Sequence, residues 1–367
     1  MHEAERYIGL MSGTSLDGVD AALVEFSPTG IPHLLRSAYL PYDDALRTRL
    51  LALHTPQADE LHRAQSAGNE LATLYAQASR NALADTPAQT VRAIACHGQT
   101  VRHRPECGYS LQIGNAALLA ELTGLPVVSD FRSRDIAAGG QGAPLVPAFH
   151  AAVLAHPRQH RVIANIGGIA NVTDLPPQKD VRGWDTGPGN LLMDAWIQRH
   201  LGQPYDRHGG WAAQGTPQPA LLERLLAHPY LSAPPPKSAG REQFNLDWLD
   251  RELASLPRPP TPADVQATLL ELTARSLADA VQGACAGSQH LAVCGGGAHN
   301  TRLMARLHTL LPRVEVVTSA AHGIDPDWME AIAFAWLARQ TLHGANGNLP
   351  AVTGARGPRV LGAIYPA

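Results

Sequence analysis

Three glycine-bearing turns follow short apolar runs in this 367-residue chain: one from Gly13 to Gly18, one at Gly167-Gly168 and one at Gly295-Gly296-Gly297. A turn that follows a strand can aim consecutive backbone N–H groups at an anion, and glycine keeps side chains out of the way. None of the three fits GxxxxGK[ST] or GxGxxG, which argues against a P-loop or a simple dinucleotide fold. Spread over both halves of the chain, they predict a phosphate-bearing ligand held between two lobes. In the first turn, Ser12, Thr14 and Ser15 carry hydroxyls that can donate to phosphate, with Leu16 and Val19 between the polar residues. Asp17 and Asp20 would repel phosphate unless a cation such as Mg²⁺ lay between. The alternative for each is a turn residue that bonds its own backbone.

Other residue types suit a small polar substrate. Asp185 stands before Gly187-Pro188-Gly189 at the approach to a helix. It can serve there as an ionised general base, or as no more than an N-cap or Asx turn. His97-Gly98-Gln99-Thr100 offers donors and acceptors for sugar hydroxyls, or holds a satisfied loop histidine. Arg132 and Arg134 can clamp a carboxylate bidentately or form surface ion pairs. Lys237 and Arg241, in a loop bounded by Pro and Gly, can reach phosphate or solvent. Glu330 opens the most apolar helix, where a carboxylate is also favoured by the helix dipole alone.

The elements that must position these residues alternate along the chain. Tyr7–Met11 and Ala21–Phe26 read as a strand and its return, Val91–Cys96 as a buried strand ending at His97, and Val127–Ser129 as another strand. Helices are expected over Asp43–Leu53, Asp59–Leu83 and Asn115–Thr123, the last stopped by Gly124. Val162–Asn165 and Ile169–Thr173 repeat the strand–turn–strand plan. A helix follows Asp185-Thr186-Gly187-Pro188-Gly189-Asn190 and runs through Leu201. Thr261-Pro262 caps a long helix reaching about Ala284, and Leu291–Cys294 and Val314–Thr318 are strands. The pattern is α/β with mixed, helix-covered sheets.

Composition narrows the class. Hydrophobic residues make up 45% and charged residues 17%, which excludes global disorder. The net charge of −3 offers no basic excess for nucleic acid. Cys96, Cys107, Cys285 and Cys294 lack metal-site spacing, and Cys96 and Cys294 end apolar runs as buried thiols would. With charges at the start and no apolar run near membrane length, a cytoplasmic protein with reduced thiols and no membrane partner is expected.

Eight blocks in order carry a resemblance. Tyr7-Ile8-Gly9-Leu10-Met11-Ser12-Gly13-Thr14-Ser15-Leu16-Asp17-Gly18-Val19-Asp20 resembles the opening of the anhydro-N-acetylmuramic acid kinases. His97–Thr100, Asp130-Phe131-Arg132, Gly139–Pro147, Asn165–Asn171, Trp184–Asn190 and Cys294–Asn300 with Asp327–Ala331 are similar to that family too. Trp184 stands where Phe is expected and Ala239 where Thr is. The resemblance implies an actin/hexokinase/Hsp70-like ATPase fold of two lobes, each a mixed β-sheet flanked by helices. The expected lobes are residues 1–133 with 343–367, and residues 134–342. It also implies ATP and Mg²⁺ as cofactors. The reaction implied is conversion of 1,6-anhydro-N-acetylmuramic acid, ATP and water to N-acetylmuramic acid 6-phosphate and ADP, in peptidoglycan recycling.

By the family's motifs, Asp185 activates the water. Ser12 to Asp20 with Gly167 and Gly168 hold phosphates, and Gly295, Gly296, Gly297 and Asn300 lie beneath adenosine. His97, Thr100, Arg134 and Glu330 read the sugar. A homodimer is implied as well. Two competing functions are a kinase of the same fold acting on a free amino-sugar hydroxyl and a nucleotide-gated sensor with weak ATPase activity.

Overall fold

The computed structural model describes residues 4–13, 15–235, 237–240 and 242–367, so the expected site residues Thr14 and Arg241 lie outside the described residues. The chain divides into two compact units, Met1–Val153 with Trp328–Ala367, and Leu154–Asp327. In chain order the strands are β1 (Glu5–Ser12), β2 (Gly18–Phe26), β3 (Pro32–Pro41), β4 (Val91–Arg104), β5 (Tyr109–Ile113), β6 (Val127–Ser129), β7 (Arg161–Ile166), β8 (Ile169–Leu175), β9 (Arg182–Pro188), β10 (His290–Cys294), β11 (Glu315–Thr318) and β12 (Ala363–Tyr365).

The first unit holds a sheet in the order β12-β6-β4-β1-β2-β3, with β5 added to β4, and the second holds β11-β10-β7-β8-β9. Five strands in each sheet share one plan. The first strand is antiparallel to the second, the second to the third, and the first is parallel to the fourth, as is the fourth to the fifth. The strand–turn–strand repeat expected from sequence is therefore part of a five-strand duplication. Both mixed sheets are flanked by helices, as the resemblance implies.

Buried parallel strands need apolar residues on both faces, and β1 has them from Tyr7 to Leu10. Ile8 and Leu10 pack with Leu71 and Tyr75 of the helix Glu60–Leu83. Gly9, on the opposite face, meets the helix Met329–Leu342 so closely that a Cβ would lie 1.8 Å from the Ala331 carbonyl oxygen. In the second unit the helix Pro262–Ala284 begins as expected, with the Thr261 side chain accepting the Asp264 N–H and Pro262 in the first turn. Its Val265, Leu269 and Leu272 join Val162, Ala164 and Ile166 in one core. Among the described residues no helix is long and apolar enough to cross a membrane.

Three expectations are corrected. The first unit reaches beyond 1–133 and 343–367, because residues 134–153 and 328–342 pack within it. The Asp135 carboxylate explains part of this: fully buried, it accepts from Gly142 N–H at 2.8 Å, Asn348 Nδ2 at 2.6 Å and Thr353 Oγ1 at 2.8 Å. Next, β4 does not end at His97 but continues to Arg104; Gly98, at φ +76°, lets it turn, and β5 pairs with the extension. Lastly, Asp185 lies in β9, a strand whose Gly and Pro content hides it from periodicity.

Asp135→Ala would leave three buried donors without an acceptor, each worth about 1–3 kcal/mol. Thermal unfolding should show Tm lowered by roughly 5 °C or more; an unchanged Tm would mean the carboxylate is not a fastener.

Candidate active site

β7 and β10 are parallel neighbours, so both end at one edge of the second sheet. Cys294, Asn165, Asn171 and Asp185 make a single row across β10, β7, β8 and β9 at that edge. The turns Gly167-Gly168 and Gly295–Gly297 leave the sheet beside the row, at the carboxyl ends of parallel strands where α/β proteins hold ligands.

The Asp185 backbone and side chain are both held by the segment 237–239. Its N–H donates to the Lys237 carbonyl at 3.1 Å, while its Oδ2 accepts the Ala239 N–H at 2.9 Å. The Tyr230 hydroxyl donates to the Asp185 carbonyl oxygen at 2.9 Å. Burial pushes the carboxyl up to about 6, and the Ala239 bond only partly opposes it. Oδ1 has no bond to any described residue. Asp185 is not a helix cap, since Asn190 precedes the helix Leu191–Leu201. A half-buried carboxylate with one oxygen unbonded among the described residues and a pKa raised to about 6 is suited to general base work. The Ala239 departure noted in the sequence is harmless to this contact, which uses backbone.

The glycines of this edge fall into two kinds. Gly295, at φ +77°, has the Asn165 side chain 2.3 Å from a would-be Cβ, and Gly297 has the Ile166 side chain at 2.4 Å. Packing dictates both. Gly167, Gly168 and Gly296 have no neighbour closer than 3.6 Å and no positive φ. Nothing in the protein requires glycine there, as expected if something else approaches the backbone. Asn300 caps the helix Thr301–Leu310 by accepting the Leu303 N–H at 3.1 Å. Lys237 does not extend toward a ligand: its ammonium donates to the Tyr230 and Leu231 carbonyls at 2.8 and 3.1 Å.

In the first unit, β1 and β4 repeat the parallel pairing, and Ser12 stands beside Gln99. Two of the hydroxyls expected to donate to phosphate, those of Ser12 and Ser15, are engaged. Ser12 Oγ donates to Gln99 Oε1 and lies 2.7 Å from the Tyr42 hydroxyl; Ser15 Oγ donates to Asp17 at 2.6 Å. Leu16 and Val19 are buried, so their side chains serve the core rather than a ligand. Gly18 is dictated by packing, its would-be Cβ lying 2.5 Å from the Leu40 carbonyl oxygen. Gly13 is of the open kind, its nearest neighbour 3.6 Å away. Asp17 is exposed and Asp20 half-buried, opposite Met11 and Tyr39. Burial first, then the charges of Asp17 and Asp20, push the Tyr39 hydroxyl up to about 12. Among the described residues no three His, Cys, Asp or Glu side chains could hold a metal ion. Two carboxylates completed by phosphate oxygens and water is the set Mg²⁺ commonly takes.

Of the residues expected to read a sugar, His97 and Glu330 lie close to Arg132. Arg132 donates through Nη2 to His97 Nε2 at 2.8 Å and through Nη1 to the Gly142 carbonyl at 2.7 Å. Burial, then the Arg132 charge, pushes His97 down to about 3, so its ring is neutral and its Nε2 is occupied. Burial raises Glu330, with Arg132 opposing. Thr100 Oγ1 accepts from Gln112 at 3.0 Å and keeps its own proton to donate. Arg134 is exposed, with no partner among the described residues, so its guanidinium is free to meet a carboxylate. Tyr42, Tyr230 and the 239 amide escaped the sequence reading. Each acts through a partner 30 to 54 residues away, at a separation with no periodic signature.

Comparison with known proteins gives the family. The model of the anhydro-N-acetylmuramic acid kinase family matches residues 5–367. A protein of that name from Thiobacillus denitrificans is 67% identical over 366 residues, covering 100% of this chain and 98% of the relative. Another from Nitrosospira multiformis is 56% identical, covering 100% of both, and one from Chromobacterium violaceum is 55% identical, covering 98% and 99%. The chain belongs to the anhydro-N-acetylmuramic acid kinase family, whose members are carbohydrate kinases.

Proposed function

We propose that the protein is a hydrolytic kinase that takes ATP, water and 1,6-anhydro-N-acetylmuramic acid to ADP and N-acetylmuramic acid 6-phosphate, in peptidoglycan recycling within the cytoplasm. The observation that carries this reading is Asp185: a desolvated carboxylate raised to about 6, anchored on one oxygen and open on the other, on the sheet edge where two glycine turns emerge.

In this mechanism Oδ1 of Asp185 takes a proton from water as the water oxygen attacks the anomeric carbon, as in inverting glycoside hydrolysis. The bond from that carbon to the bridging oxygen breaks. The freed oxygen bonds to the γ-phosphorus while the bond from phosphorus to the β–γ bridging oxygen breaks, releasing ADP. Each bond formed is matched by one broken, so no separate acid is needed at the bridging oxygen. Phosphoryl transfer asks mainly for positioning and charge neutralisation. The open glycines Gly13, Gly167, Gly168 and Gly296 let backbone meet phosphate, and Arg134, Thr100 and Glu330 face the sugar's carboxylate and hydroxyls. Asp17 and Asp20 would hold Mg²⁺, which when bound offsets charge on the β- and γ-phosphates.

Turnover in oxygen-18 water tests the reaction. The label should enter the anomeric hydroxyl of the product; a sugar phosphate without label there would instead mean phosphorylation of an existing hydroxyl. Asp185→Asn keeps the shape and removes the basicity, so kcat should fall by about 10³-fold or more with ATP affinity retained. In the unmodified enzyme kcat/KM should decline as pH falls through about 6, where Asp185 gains its proton, and this acid limb should vanish in the variant. Loss of ATP affinity in step with kcat would tell against a base. A Cβ at Gly13 meets no described neighbour closer than 3.6 Å, so Gly13→Val reports on the ligand: the KM for ATP should rise about tenfold or more. An unmoved KM would place the phosphates elsewhere.

A further inference from the structure

The glutamine of the His97–Thr100 block has a task that its sequence context does not suggest. Gln99 is fully buried and Ser12 and Tyr42 nearly so, at the end of β1 where its regular pairing with β4 is interrupted between Leu10 and Ser12. There the Gln99 side-chain amide continues the ladder in place of a peptide group. Its Oε1 accepts from Ser12 Oγ, and its Nε2 donates to the Gly13 carbonyl at 3.1 Å. A serine has one proton and a carbonyl oxygen can only accept, so the Ser12 proton points to Gln99. The Tyr42 hydroxyl, 2.7 Å from Ser12 Oγ, is therefore the donor in that pair. Tyr42 also grips the far side of the turn, its backbone N–H donating to the Asp17 carbonyl at 3.0 Å, and the Tyr39 hydroxyl donates to the same oxygen at 2.8 Å.

We infer that Gln99 and Tyr42 form a clasp that sets the Ser12–Asp17 turn for nucleotide phosphate, making Gln99 a positioning residue for ATP rather than a sugar contact. The inference rests on the proposal that this turn meets phosphate. Its physical content is that both carbonyls flanking the turn, Gly13 and Asp17, are tied back into the protein by side chains or backbone of β3 and its following residues and of β4. A carbonyl oxygen released from such a tie can rotate toward an incoming phosphate, where it repels. Loss of the clasp should thus weaken nucleotide binding more than sugar binding. The Gln99 amide has all its polar atoms engaged with protein, its Nε2 lying also 3.4 Å from the Thr100 carbonyl. It has little left to offer a sugar hydroxyl.

The test is steady-state kinetics on Gln99→Leu and Tyr42→Phe, with ATP and the anhydro sugar varied separately and Tm measured alongside. Gln99→Leu removes both ends of the amide bridge and should raise the KM for ATP about tenfold, with the sugar KM within about twofold. Tyr42→Phe keeps the backbone tie on the Asp17 carbonyl and removes only the hydroxyl that orients Ser12 toward the Gln99 amide, which holds the Gly13 carbonyl. A smaller rise of about threefold in the ATP KM is therefore expected with the fold intact. A rise in the sugar KM with the ATP KM unmoved would overturn the inference and return Gln99 to the sugar. An equal rise in both, or no change in either, would overturn it as well. Should Gln99→Leu not fold, the Tyr42→Phe result alone decides by the same criteria. Gly13→Val separates the two levels. If it raises the ATP KM while the clasp variants do not, the clasp is wrong and the phosphate turn stands. If none of the three moves the ATP KM, the phosphate turn itself is wrong.

Discussion

Parallel pairing of β1 with β4, and of β7 with β10, is the constraint on which the rest depends. A parallel ladder obliges neighbouring strands to finish at the same sheet edge. It therefore gathers residues that the chain keeps far apart: Ser12 with Gln99 in one unit, Asn165 with Cys294 in the other. The long apolar crossovers that parallel strands require are here the helices Glu60–Leu83 and Pro262–Ala284, each of which also supplies the core under its sheet. Catalytic placement and folding stability thus draw on the same elements. A change that shifted β1 against the helix Met329–Leu342 at Gly9 would be felt at the Ser12 turn, because no slack exists between Gly9 and the Ala331 carbonyl.

Within that frame the glycines separate by cause. Gly9, Gly18, Gly189, Gly295 and Gly297 have protein atoms where a Cβ would go, so their identity is explained by packing alone. Gly13, Gly167, Gly168 and Gly296 are not so explained, and all four sit in turns at the edges just described. A glycine in open space at ordinary φ gives up chain entropy without a steric return. The close approach of a ligand to backbone is the return that fits the kinase family.

Much of this was legible in the sequence. Caps and breakers marked helices faithfully: Asn115, Gly124, Thr261 and Pro262 act where their types predict. The apolar runs of β1, β2, β7, β8 and β10 were equally clear because buried central strands leave little room for polar residues. What escaped has a common reason. β9 carries Asp185 among Gly and Pro, and β4 runs on through Gly98, so local composition spoke for loops while tertiary pairing made strands. The hydroxyl of Ser12 was readable as a residue type, but not as already engaged. Hydrogen-bond partners across 30 or 87 residues leave no trace in spacing.

The electrostatics around Asp185 explain how its carboxyl is held above the usual carboxylate range. The fully buried Asp135 carboxylate accepts from three donors. Among the described residues the Asp185 carboxylate accepts from one donor, the Ala239 N–H. Lys237 is the cation nearest to it in the 237–239 segment, yet that residue meets Asp185 only through its backbone carbonyl. The ammonium is turned onto the carbonyls of Tyr230 and Leu231 and over the Tyr230 ring, 4.7 Å from its centre. Were the ammonium to swing onto the carboxylate, opposite charge would favour ionisation and lower its basicity. Desolvation instead acts against a single amide hydrogen bond among the described residues, and the balance falls at about 6, a value at which the carboxyl is mostly ionised at pH 7 and more basic than an ordinary aspartate. The lysine contributes by holding the Tyr230–Ala239 segment in place while keeping its charge to itself.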